Sequence, residues 1–106
     1  MAEKDELSLR EVRKEIDETD REIAELIAFR FHCAFRAARI KRRCHLPLFD
    51  PNRELQVLRN VARAIDGKSL PQAAIRRIFR GIMEETRTAE HNRYRKPNLK
   101  PRERTR

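Results

Sequence analysis

The sequence predicts an all-α fold of three helices, the first very long, in a bundle completed by a second copy of the chain. Three observations lead there. Apolar residues recur at spacings of three and four, not in alternation. In 106 residues there are only two glycines, and the five prolines fall between or at the edges of the periodic stretches. Charged residues make up 41% of the chain and hydrophobic ones 39%, so a single small domain with strongly two-sided helices is expected.

The first helix is predicted from about Leu7 to Arg43, because no proline or glycine interrupts that stretch. Leu9, Val12, Ile16, Ile23, Leu26, Ile27, Ala34, Ala37 and Ala38 fall on one side at 100° per residue. The first 25 residues are rich in acids, and residues 30–43 hold six bases and no acid, which suits the helix dipole. Such a helix is roughly 55 Å long, more than the remaining chain can cover, and a partner copy is the simplest way to bury its stripe. An isolated coiled coil fits less well, because the pattern is not a strict heptad and two more amphipathic helices follow.

Pro47 ends the first helix. Asp50-Pro51 is a helix start, with Asp50 as N-cap and Pro51 at the first helical position. The second helix carries Val57, Leu58, Val61 and Ile65 on one face and stops at Gly67. Ser69 and Pro71 open the third, which carries Ile75, Ile78, Phe79, Ile82 and Met83. The helical domain is drawn as residues 1–90. Residues 91–106 hold seven Lys/Arg, one Glu and two prolines without apolar periodicity, and read as a basic, disordered tail.

Several function classes are disfavoured. No apolar run approaches the ~18 residues of a membrane span. The beginning of the chain lacks a basic-then-apolar secretion signal, so a cytoplasmic location is expected. Cys33 and Cys44 stand about 16 Å apart on one helix, too far to bridge within a chain. His32-Cys33 and Cys44-His45 are adjacent pairs that point different ways on a helix and chelate poorly, so no metal is expected. The net charge of +9 suggests nucleic acid, but residues 1–90 carry 19 bases against 16 acids and most of the excess lies in the tail.

Charged residues interrupt the inward faces of all three helices. Arg30 and Lys41 project within about 40° of the centre of the first stripe, with Arg13 at its margin. Glu54 lies on the Val57/Leu58/Val61 face with Arg53 at its edge, and Thr86 and Glu90 continue the Phe79/Met83 face. Charges on buried faces must be paired or serve a ligand. One reading is a structural ion-pair network joining Lys41 or Arg30 to Glu54 or Glu90. The other follows from the surplus of cations, Arg13, Arg30, Lys41 and Arg53 against two glutamates, which invites an anionic guest such as a small polycarboxylate. There is no Ser/His/Asp set and no phosphate loop, and His32, His45 and His91 read as surface or loop residues, so catalysis is expected to rest on positioning and electrostatics.

These residues form an ordered series. Val12-Arg13-Lys14-Glu15-Ile16-Asp17-Glu18-Thr19-Asp20, then Ile23, Leu26 and Arg30, then Ala38-Arg39-Ile40-Lys41, then Leu46-Pro47-Leu48-Phe49-Asp50-Pro51-Asn52-Arg53-Glu54 closely resembles the all-helical, type II (AroQ-class) chorismate mutases. Ile78-Phe79-Arg80-Gly81-Ile82-Met83-Glu84-Glu85-Thr86 resembles the third-helix segment of that family. The match covers about residues 7–90.

The resemblance implies an interwoven homodimer with two sites that converts chorismate to prephenate, a one-substrate [3,3] rearrangement without metal or organic cofactor. Carried over by position, Arg13 would bind a substrate carboxylate in the partner's site, and Arg30 a carboxylate in its own. Lys41 would donate to the ether oxygen and a neighbouring carboxylate. Asp50 (through its backbone), Arg53 and Glu54 would line the wall holding the ring hydroxyl, and Thr86 stands where serine is common. Glu90 replaces a glutamine of the best-known bacterial members and must be protonated to donate to the ether oxygen. Burial raises its pKa while Lys41 lowers it, and the sequence leaves the balance open. The same scaffold also serves isochorismate pyruvate-lyases and aminodeoxychorismate mutases. A nucleic-acid-binding helical dimer, or docking onto another shikimate-pathway enzyme, are the partner readings that remain beside it.

Overall fold

The computed structural model describes residues 2–95. It contains three helices, α1 (Ala2–Arg43), α2 (Pro51–Ala64) and α3 (Gln72–Arg95), and no strand among the described residues. α1 begins five residues earlier than the apolar periodicity indicated, because Glu3 and Asp5 in its first turn favour the positive end of the helix dipole.

The residues divide into two units at Cys33 and Ala34. The first is the long N-terminal part of α1. Its apolar stripe is largely open within the chain: Leu9, Val12, Ile16 and Ile23 each keep about half of their surface exposed.

The second unit holds the end of α1 with α2 and α3. α1 stops before Pro47 is reached, through a Schellman turn: His45 adopts φ 59°, His45 N donates to Arg42 O at 3.2 Å, and Leu46 N donates to Lys41 O at 2.8 Å. α2 starts as expected, with Asp50 Oδ1 accepting from Arg53 N at 3.2 Å and Pro51 at its first position. It ends at Ala64, three residues short of Gly67, and Gly67 takes φ 78° as the chain turns away. α3 starts at Gln72, with the Pro71 carbonyl accepting from Ala74 and Ile75, while Ser69 lies outside the helix.

Val57, Leu58 and Met83 form the α2–α3 core, with Phe79 packed against it. Ala38 and Ala62, small enough for close helix approach, are also buried. Gln72 Nε2 donates to the Ala62 carbonyl at 3.0 Å and ties the start of α3 to the end of α2. Two cation–π contacts join the end of α1 to the end of α3: Arg42 over Tyr94 and Arg93 over Phe35, each 4.4 Å from the ring centre. α3 therefore continues to Arg95, five residues into the stretch read from sequence as a tail, and residues 96–106 lie outside the described residues.

Candidate functional site

The site is built where the α1–α2 connection meets α3. Lys41 sits in the last turn of α1, half-buried, and its Nζ donates to the Leu48 carbonyl at 3.0 Å. The ammonium thus anchors the connection whose next residues, Phe49 and Asp50, lead into α2. A cleft of about 290 Å³ lies beside it, lined by Leu48, Phe49, Arg87, Glu90 and His91. That is near the lower end of the range for small-molecule sites.

α3 delivers Thr86, Arg87 and Glu90. Thr86 is buried, and its hydroxyl donates to the Ile82 carbonyl one turn back at 2.6 Å. To donate to a ligand it must release that bond. Glu90 is partly buried, and its carboxyl pKa is raised: burial is the dominant cause, opposed by the nearby positive charges of Lys41 and then Arg87. Burial therefore outweighs the two cations in the direction of the shift, and the carboxyl holds its proton to higher pH than an ordinary glutamate.

Among the described residues, Glu54 of α2 forms its ion pair with Arg87 of α3 and not with Lys41. Its Oε2 accepts from Arg87 Nη1. The Arg87 guanidinium also lies over the Phe49 ring, 5.1 Å from its centre. Sequence reasoning missed both Arg87 and Phe49. The signal for Arg87 was its place three residues before Glu90, which on a helix is the neighbouring stripe of the same face.

The remaining sequence-selected residues are distributed as follows. Asp50 is exposed and serves as the α2 cap. Arg53 is exposed, and its Nη1 donates to Gln56 Oε1 at 2.6 Å, along its own helix. Arg13, exposed, and Arg30, partly buried, belong to the first unit. Lys41, Glu54, Thr86 and Glu90 belong to the second. Within it, Arg87 pairs with Glu54, and Lys41 and Arg87 both act on Glu90. Two cations and one carboxyl that holds its proton to higher pH than usual can take up an anion and offer protons to an oxygen that gains charge.

Comparison with known proteins places this geometry in context. Residues 12–91 match the family model described as "Chorismate mutase type II". The bifunctional chorismate mutase/prephenate dehydratase of Aquifex aeolicus is 37% identical over 78 residues, covering 71% of this chain and 22% of that protein. The chorismate mutase of Methanocaldococcus jannaschii is 30% identical over 82 residues, covering 77% of this chain and 83% of that protein. A chorismate mutase structure from Thermus thermophilus, form II, superposes with a TM-score of 0.73 at 29% identity, over 78% of this chain and 93% of that one. The chain thus spans about a fifth of the length of the bifunctional relative and most of the length of the other two.

Proposed function

The chain belongs to the type II chorismate mutase family, and from that premise we propose that it converts chorismate to prephenate as an interwoven homodimer in the cytoplasm. The observation that carries the reading is the meeting of Lys41 and Glu90 beside one cleft, with the Glu90 carboxyl pushed by burial toward its protonated form.

The reaction breaks a carbon–oxygen bond and forms a carbon–carbon bond within one molecule, and no protein group makes a covalent bond to the substrate. What the residues supply is conformation and charge. The partner subunit's Arg13 and this subunit's Arg30 and Lys41 hold the two carboxylates so that the flexible substrate stays in a compact chair. Negative charge grows on the ether oxygen as its bond to carbon lengthens, and Lys41 with protonated Glu90 donates to it there. Glu54, with Arg53 and the Asp50 backbone, receives the ring hydroxyl, and Thr86 borders the same wall.

The dimer is supported by the open stripe on α1 and by its charges. Residues 1–25 hold ten acids and five bases, and residues 30–43 hold six bases and no acid. A second α1 running antiparallel sets the acidic half of each copy against the basic half of the other while covering Leu9, Val12, Ile16 and Ile23. The similarity to a bifunctional chorismate mutase/prephenate dehydratase also suits docking onto an enzyme that consumes prephenate.

Loss of chorismate absorbance on adding purified protein tests the activity, with acid conversion of prephenate to phenylpyruvate as product assay. Chorismate left unchanged by folded, dimeric protein refutes the proposal.

A further inference from the structure

We propose that Arg87 is a specificity-determining residue: by pairing with Glu54 it makes the ring-hydroxyl wall accept a neutral hydroxyl in preference to a cationic ammonium at the same ring position. The inference rests on the mutase reading given above and adds to it the choice between two substrate types.

The geometry begins with how Arg87 is held. Its edge is fixed by the Glu54 carboxylate of α2, 33 residues away in sequence, and its face lies over Phe49 of the α1–α2 connection at 5.1 Å. It follows the buried Thr86 and precedes Glu90 by three residues. A guanidinium gripped from two sides is a fixed charge in the wall of the cleft, and its planar donor set suits a carboxylate edge.

That pairing changes what Glu54 can receive. An isolated carboxylate attracts an ammonium strongly, as a full opposite charge. Once Arg87 offsets that charge, the carboxylate still has acceptor lone pairs, because its two oxygens offer about four such sites and Arg87 bonds to Oε2. A neutral hydroxyl can donate to them. An incoming ammonium meets Arg87 at close range instead. The other charged or titratable groups here are Lys41 from α1, Asp50, whose carboxylate is engaged in capping α2 through Arg53 N, Arg53 from α2, and Glu90 and His91 from α3. Lys41 adds to the repulsion. Rejection of a wrong partner by like charge is an established route to specificity.

The magnitude is modest, because Arg87 and Glu54 side chains keep 42% and 28% exposure and water screens the pair. The test measures kcat/KM for chorismate and for 4-amino-4-deoxychorismate with wild-type protein and with Arg87→Met, Arg87→Gln and Arg87→Lys. Removing the charge should raise the amino-to-hydroxyl ratio about fivefold in both neutral variants, while the lysine variant stays near wild type. The glutamine variant supplies the answer should the methionine variant fail to fold. A scaffold role for Arg87 lowers both substrates alike, and an unchanged ratio therefore overturns the proposal while leaving the mutase reading intact. Wild-type protein that converts neither compound overturns both.

Discussion

Lys41 reaches from the last turn of α1 to the carbonyl of Leu48, 3.0 Å away, and so ties the ammonium to the connection that forms one wall of the cleft. An ammonium has three donors, and this bond takes one. The same contact ties the chain between α1 and α2 to the cation whose charge acts on Glu90. Lys41→Ala should abolish most turnover, raising the barrier by about 3–4 kcal/mol, as loss of one charge-stabilising donor usually does. Loss of the bond to Leu48 should cost only about 1 kcal/mol of stability. Chorismate turnover and thermal melting of the same sample check both; an active variant removes Lys41 from the chemistry.

Glu90 should control the pH dependence. Burial raises its carboxyl pKa above the ordinary value, and the protonated form is the one that can donate to the ether oxygen. Activity should therefore fall as pH rises through that pKa, and Glu90→Gln, which donates at every pH, should flatten the fall. The sign for stability is the same. A raised folded-state pKa gives a contribution that is complete below the unfolded value and is lost as pH climbs through the folded one. The melting temperature of Glu90→Gln relative to wild type should thus increase toward higher pH. Rate profiles from pH 5 to 9 and parallel melts decide it, and wild-type and variant curves of the same shape refute it.

Leu58, Val57 and Met83 join α2 to α3 and support the helix that presents Glu90. Leu58→Ala should destabilise the protein by about 2–5 kcal/mol, the usual cost of truncating a buried leucine. Denaturant unfolding measures this, and a loss below 1 kcal/mol would show that the α2–α3 seam carries little of the fold.

Ile16 keeps about half its surface exposed in the chain alone, in line with Val12 and Ile23. If this stripe is the dimer seam, Ile16→Asp places a charge where apolar surface is buried, and the dimer should dissociate with loss of activity. Sedimentation at several concentrations reads the assembly state. An active, unchanged dimer would place the interface elsewhere.

His45 stands at the left-handed position of the turn that ends α1, with φ 59°. Glycine removes the steric cost of that conformation but adds freedom to the unfolded chain, so His45→Gly should stabilise by about 0.5–1 kcal/mol. Thermal unfolding tests the sign.

Much of the architecture was legible because local rules and global fold agree. The uninterrupted first helix, the Asp50-Pro51 start and the Phe79/Met83 face all follow from capping, proline geometry and helical period. Boundaries were less legible where apolar spacing gives no mark: α1 ends at Arg43 as expected but begins at Ala2 and not Leu7, and α3 runs on to Arg95. The inward-pointing charges also stood out, because a helix stripe is fixed by spacing alone. The partner of each charge was not so fixed. Spacing placed Glu54 on an inward face, and only the approach of α3 to α2 selected Arg87 over Lys41 as its counter-ion.

Sequence by itself settled three amphipathic helices, the Asp50 cap of the second, and which of their faces carry charge, since each depends on residues within a turn or two. Tertiary structure decided that Arg87 joins Glu54 and Phe49 and that burial outweighs two cations at Glu90, because both outcomes depend on how far water is displaced by segments distant along the chain.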